Sequence, residues 1–232
     1  MNYKDLLSIQ RERSSSVKRD RIIDEFYSDR SRLLYSSSFR RLQQKAQVFS
    51  LEPNASVRTR MTHTLEVSDL GRTLANEIAQ QLYNKKLISL RSVPQIVAVV
   101  ENACLLHDIG NPPFGHFGES AIKNWSKNSI EYLAKTIPNY QMFINLAKDF
   151  EEFDGNPQGF RIITKLHTET DEYSLNLTYA TLLCALKYSR SAGEESGEGI
   201  RKKAGYFISE KELVERIYSC VGLELYHRFP LT

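Results

Sequence analysis

Apolar residues recur at helical spacing through most of this chain, and no stretch alternates apolar and polar positions long enough to demand a sheet. Residues 20–34 carry Ile22, Ile23, Phe26, Tyr27, Leu33 and Leu34 at amphipathic spacing. Glu-Pro-Asn-Ala-Ser-Val (52–57) reads as a turn, with Ser56 as a capping candidate. From Arg58 to about Tyr83, the residues Leu70, Leu74, Ile78 and Leu82 recur at four-residue steps, and His63 and Val67 extend that stripe. The stripe predicts a His63 that faces inward. Pro94 suits the first turn of a next helix, and Ile96 to Leu106 is apolar on nearly every side, which predicts a central buried helix. Gly110-Asn111-Pro112-Pro113 must stop it.

Another helix is expected from near Gly118, carrying Ala121, Ile122 and Trp125. Residues 139–153 and 174–188 are further amphipathic candidates, and a last helix is expected over Glu210 to Leu225. Ser189 to Gly205, rich in Gly, Glu, Lys and Ser, reads as a mobile loop. No internal repeat and no linker is visible, so the pattern predicts one all-α domain.

Composition narrows this little. With 41% hydrophobic and 25% charged residues among 232, the chain reads as an ordinary soluble protein, and no apolar run is long enough to span a bilayer. A polar N-terminus without a signal segment, and three cysteines set among apolar residues, point to reduced thiols in a cytoplasmic protein. Charge is more telling in its distribution than in its net value of +3. Residues 1–45 hold eleven Lys/Arg against six Asp/Glu, a basic segment suited to phosphates on a nucleotide or a nucleic acid.

The chemistry begins with His63 and the adjacent pair His107-Asp108. Imidazole nitrogens and carboxylate oxygens are the usual ligands of a hydrolytic divalent metal. Neighbours on a regular helix point about 100° apart, so both can reach one ion only beyond a helix end. The Gly/Pro break puts them there. A cation would also remove the penalty of burying Asp108 beside an apolar helix. Such an ion activates water and polarises a phosphoryl oxygen, which makes hydrolysis the favoured reaction. His116 and Glu119, three apart, suit a general acid/base pair with the carboxylate orienting the imidazole. Arg40, Arg41 and Lys45 interleave with Gln43, Gln44 and Gln47, and Lys187, Tyr188, Lys202 and Lys203 add cations and a ring. Around a metal site, that set points to a polyphosphate substrate.

Three segments carry a resemblance: Phe-Arg-Arg-Leu-Gln-Gln-Lys-Ala-Gln-Val-Phe (39–49), Arg-Thr-Arg-Met-Thr-His-Thr-Leu-Glu-Val (58–67) and His-Asp-Ile-Gly-Asn-Pro-Pro-Phe-Gly-His-Phe-Gly-Glu (107–119). With Phe-Asp-Gly-Asn-Pro-Gln (153–158), Leu-Asn-Leu-Thr-Tyr (175–179) and Leu-Lys-Tyr (186–188), they resemble the HD-domain deoxyguanosine triphosphate triphosphohydrolases. The resemblance implies an all-helical HD fold over residues 29–232, following a basic segment at 1–28. It implies hydrolysis of dGTP or another dNTP to the deoxynucleoside and inorganic tripolyphosphate. By the same resemblance His63, His107 and Asp108 would bind the metal, Mg or Mn. His116 would be the catalytic histidine supported by Glu119, and Arg41, Gln43, Asn156, Lys187, Tyr188 and Lys203 would contact the nucleotide. A hexamer and single-stranded DNA are the partners it implies, with no membrane.

One departure bears on activity. The family pattern includes a fourth metal ligand, an Asp on a later helix, and no Asp follows Asp171 here. The segment Tyr226 to Thr232 resembles the approach to that helix, so the chain is expected to be an N-terminal portion that binds its metal weakly and turns over slowly or not at all. The competing readings are an HD phosphohydrolase acting on another nucleotide, and a non-catalytic remnant that binds nucleotide or single-stranded nucleic acid.

Overall fold

The computed structural model describes residues 3–47, 54, 56–136, 147–168 and 172–223. Val48, Phe49, half of the expected turn at 52–57, residues 139–146 of the helix expected over 139–153 and the tail from 224 lie outside them.

Helices dominate, in the order α1 (Ile22–Tyr35), α2 (Ser37–Arg40), α3 (Arg60–Asn84), α4 (Ser92–Leu106), α5 (His116–Ala134), α6 (Gly155–Arg161), α7 (Tyr179–Ala185) and α8 (Lys211–Cys220). The all-α expectation holds. Helix α4 is the central element, packed against α3, α1 and α7, as its apolar run foretold. Its Leu105 and the following Ile109 join Leu33, Phe39, Leu42, Phe160, Leu177, Val214 and Ile217 in the main core.

The stripe on α3 faces the other way from the expectation. Leu70, Leu74 and Ile78 are 61%, 55% and 57% exposed, and the buried positions are Thr64, Ser68, Ala75 and Ala79. Small side chains win that face because they let the two backbones approach closely. A Cβ built on Gly71 would stand only 2.4 Å from Cys104 Sγ on α4. His63 is half-buried, in the first turn of α3.

Residues 189–205 depart from the expected loop at their ends, where β1 (Arg190–Ser191) pairs in parallel with β2 (Ala204–Tyr206), while most of 193–203 between them is exposed irregular chain. Arg190 is the reason: its guanidinium donates to Glu152 at 2.6 Å, to the Glu194 carbonyl at 2.6 Å and to the Arg201 carbonyl at 3.1 Å. Ala192 and Ala204 then close a small cluster with Phe153 and Phe207.

The helix expected over 174–188 shortens to α7. Ser174 and Asn176 adopt left-handed φ of 58° and 46°, so the chain turns there before Thr178 caps the helix. The last described helix ends at Cys220, and α5 begins at His116, two residues before Gly118.

The N-terminal segment is built into the fold through one buried cation. Arg11 donates to Glu25 at 2.8 Å, to Asp29 at 2.6 Å and to the Asn176 carbonyl at 2.5 Å. The other Asp29 oxygen accepts from Thr178 Oγ1 at 2.6 Å and Thr181 Oγ1 at 2.7 Å. Burial would push the Glu25 carboxyl up, but hydrogen bonds from Arg11 and Arg19 hold it below its usual range.

Candidate active site

The start of α3 and the end of α4 meet at the site. Thr59 and Thr62 form a reciprocal capping box, with Thr62 N–H on Thr59 Oγ1 at 3.2 Å and Thr59 N–H on Thr62 Oγ1 at 3.0 Å. This fixes the first turn of α3, on which Arg60 and His63 sit. An antiparallel bridge between Ala46 and Thr59, with the Arg60 N–H on the Lys45 carbonyl at 2.9 Å, anchors the turn from outside. At the other end, α4 stops at Leu106 and His107 occupies its C-cap position.

Gly110 decides where the chain goes next. A Cβ there would fall 2.0 Å from the Gly155 carbonyl and 2.1 Å from the Gly159 nitrogen, so only glycine lets this loop lie on α6. The loop then passes through Phe114 and Gly115, both with positive φ, before α5 begins. Gly115 is also hemmed in by Arg60, whose Nη2 would be 3.0 Å from an added Cβ.

His63, His107 and Asp108 come together as the sequence predicts: one donor atom from each lies within 4.8 Å of the others. The two rings meet edge to face, with centroids 5.4 Å apart. His107 Nδ1 donates to the Cys104 carbonyl at 2.8 Å, which leaves Nε2 with its lone pair toward the cluster. Asp108 is buried; Arg60 Nη1 reaches its Oδ2 at 3.0 Å, and Asn111 Nδ2 donates to its Oδ1. Ligands about 2.1 Å from one ion stand at most about 4.2 Å apart, so a small contraction closes this set around a cation. Two imidazoles and one carboxylate fit a divalent metal. Lys45, which donates to the Asn111 carbonyl at 2.7 Å, tightens the same loop; burial, and then Arg60 and Arg41, hold its ammonium below the usual lysine range.

The geometry of His116 and Glu119 is equally defined. His116 Nδ1 stands 2.6 Å from Glu119 Oε2, and Gly155 N–H donates to Glu119 Oε1 at 2.9 Å. Glu119 is 5% exposed, whereas the His116 side chain is 86% exposed, so a buried carboxylate holds an imidazole whose Nε2 is open to a substrate. Asp154 caps α6 beside this pair. Its burial favours protonation, yet hydrogen bonds from Lys203 and Asn156 keep its carboxyl below the ordinary range.

The expected nucleotide contacts fall into separate places. Asn156 and Lys187 line a cavity of about 360 Å³ together with His107, Gly155, Cys104 and Cys184. Tyr188 follows, with Lys187 Nζ 5.5 Å from its ring centroid, and Lys203 Nζ pairs with Asp154 at 2.7 Å. Arg41 instead lines a second recess of about 290 Å³, with Lys45, Ser37, Ser38, Gln158 and His167. Gln43 is exposed on a one-turn helix and lines neither recess. Burial against the apolar cavity wall raises the Cys104 thiol above its ordinary value, so it favours the protonated form.

Sequence reasoning missed Asn111 and Asp154, and it read Lys45 only as a phosphate-binding cation, not as a donor to the Asn111 carbonyl. Asn111 stood inside a quoted segment, but its task is to hold Asp108, which only the loop geometry reveals. Asp154 carried a readable signal: Asp-Gly-Asn at a helix start is a capping pattern.

The HD domain family matches residues 60–188. The chain is 40% identical over 240 residues to a "Deoxyguanosinetriphosphate triphosphohydrolase" of Klebsiella pneumoniae (strain 342), covering 91% of this chain and 46% of that protein. It is 38% identical to the protein of the same name from Yersinia enterocolitica, covering all of this chain and 51% of the relative. A "Deoxyguanosinetriphosphate triphosphohydrolase-like protein" of Listeria innocua is 39% identical, with 100% and 52% covered. The chain thus spans about half the length of the curated relatives it matches. Among the described residues no helix is long and apolar enough to cross a membrane. An HD domain implies a divalent metal, and among the described residues His63, His107 and Asp108 form a cluster of donors able to hold one. The match takes in more than half of the chain, along with the metal cluster and the His116–Glu119 pair: the chain belongs to the HD-domain family.

Proposed function

We propose that this chain carries the catalytic centre of a dNTP triphosphohydrolase, which cleaves dGTP or another dNTP to the deoxynucleoside and tripolyphosphate. The observation that carries the reading is a His–His–Asp cluster beside a histidine held by a buried glutamate. Relatives named for this activity support it. Mg or Mn is the metal in this reading, and when bound it supplies Lewis-acid activation of water and of a phosphoryl oxygen.

The chain's own residues do the rest. His63, His107 and Asp108 provide the ligands, with Arg60 and Asn111 fixing the Asp108 carboxylate. Water adds to the α-phosphorus, the bond from phosphorus to the 5′-oxygen breaks, and that oxygen takes up a proton. His116 Nε2 exchanges the proton, while Glu119 accepts from Nδ1 and stabilises the imidazolium form. Asn156 and Lys187, which line the cavity, contact the nucleotide in this reading together with Tyr188, Lys203, Arg41 and Gln43. Residues 29–232 form the hydrolase domain in this scheme. The basic segment 1–28 meets polyanions, single-stranded DNA among them, and a hexamer is the assembly proposed.

Product analysis tests the reading. The full chain is incubated with each dNTP, a nucleoside monophosphate and a cyclic dinucleotide, with Mn²⁺ or Mg²⁺. Tripolyphosphate from a dNTP supports the proposal; turnover of the other substrates alone refutes it.

A further inference from the structure

Asp154 joins two parts of the site that no sequence signal connected. It is 3% exposed, yet its carboxylate accepts from Lys203 Nζ at 2.7 Å, from the Asn156 backbone N–H at 3.0 Å and from Asn156 Nδ2. Lys203 and Asn156 come from different elements, just before β2 and in the first turn of α6. The next residue, Gly155, donates the N–H that holds Glu119, and a Cβ there would meet both Asn111 and Glu119. One buried carboxylate therefore sets the direction of a cation and an amide, and starts the turn that fixes the acid/base pair.

A cap alone does not need this arrangement. Asn caps a helix as well as Asp does, and a capping carboxylate exposed to water would serve equally. Here the charge is buried and matched to one ammonium, a pairing worth keeping only if the ammonium must stand in one place. The Lys203 side chain stays 39% exposed, and Glu119 and Tyr188 are its electrostatic neighbours. Held in that position, it can give its remaining N–H bonds to an anionic substrate.

We propose that Asp154 is a positioning residue for nucleotide binding, acting through Lys203 and Asn156 without touching substrate itself. The inference rests on the triphosphohydrolase reading. Its ligand class is the polyphosphate portion of a nucleotide.

The test is a double-mutant cycle in the full chain, with dGTP and Mn²⁺, of Asp154→Asn, Lys203→Met and the pair. Asp154→Asn preserves the cap but turns an N–H₂ toward the Lys203 ammonium. It is expected to raise KM by about tenfold with kcat changed far less, because substrate and transition state lose the same contact. In the Lys203→Met background the same substitution is expected to add less than about twofold. Asp154→Glu, which keeps the charge, is expected to restore part of the loss. Calorimetric binding of dGTP to His116→Ala, with and without Asp154→Asn, reads the same difference without turnover. Unchanged KM and affinity in Asp154→Asn, or effects of Asp154→Asn and Lys203→Met that simply multiply, would overturn the proposal. A wild-type chain that neither binds nor cleaves any dNTP would overturn it together with the functional reading, an outcome separable from the first by the wild-type measurement alone.

Discussion

Glu119 grips His116 with one carboxylate oxygen at 2.6 Å and receives the Gly155 N–H with the other at 2.9 Å. The imidazole is thus oriented by a carboxylate that is itself immobilised by a backbone on α6. Metal cluster and imidazole sit on opposite ends of one loop, residues 107 to 116, which Gly110 and Gly115 bend into place. That separation lets the two functions be lost independently.

His116→Ala is expected to lower turnover by a hundredfold or more, about the contribution of a positioned general acid. Metal content, read by elemental analysis of the purified chain, is expected to remain as in the wild type. Metal loss in this variant would contradict the division of roles.

His107→Ala and Asp108→Ala are expected to lose metal and turnover together. Asp108→Ala has a second effect, since it leaves the Arg60 guanidinium without its partner. Arg60→Met restores neutrality, and the double variant is expected to melt higher than Asp108→Ala alone while still binding no metal.

How far the sequence led differs between the two ends of this loop. His107 and Asp108 were legible because a long apolar run ended in Gly and Pro, and polar residues at such an end have few roles. The direction of α3 was not legible. Its large residues Leu70, Leu74 and Ile78 gave the stronger periodic signal, but close backbone approach at Gly71 and Ala75 decided the buried face. Periodicity measures side-chain hydrophobicity and is blind to how near two helices can come. Residues 189–205 misled for a related reason. Their composition is that of a loop, and most of 193–203 is one, but the buried Arg190 with its carbonyl partners packs the two ends into the fold. Asp154 illustrates the remaining limit: a capping signal was present, but its partner Lys203 lies far along the chain.

Close packing at Gly71 gives a stability prediction. Gly71→Ala sets a methyl 2.4 Å from Cys104 Sγ and is expected to cost about 1–3 kcal/mol. Cys104→Ala in the same chain is expected to recover much of that, by urea denaturation. Additive losses would show that the helices do not meet as described.

Arg11 offers a larger effect. Its removal strands Glu25 and Asp29, and Arg11→Met is expected to destabilise the fold by about 3–5 kcal/mol. A change below about 0.5 kcal/mol, the range of ordinary surface substitutions, would mean that residues 3–20 are not part of the folded unit.

Asp154 and Lys203 make opposite contributions at the two ends of the pH scale. The Asp154 carboxyl lies below its ordinary 3.8 in the folded chain, so its stabilisation is present above that value and is lost as pH falls through the folded value. The Lys203 ammonium lies above its ordinary 10.5, so its stabilisation is present below that value and disappears as pH rises through the folded value. Asp154→Asn is expected to flatten the acid limb of the stability profile and leave the region near neutrality sloped as before. An unchanged acid limb would remove Asp154 from the groups that stabilise the fold.

The most direct measurement is hydrolysis of dGTP by the full chain in ¹⁸O-labelled water with Mn²⁺, followed by mass analysis of both products. Attack on the α-phosphorus is expected to place one label in tripolyphosphate and none in deoxyguanosine, with no product from Asp108→Ala. Label in the deoxyguanosine 5′-hydroxyl, or orthophosphate or pyrophosphate in place of tripolyphosphate, would contradict the reaction assigned to this site.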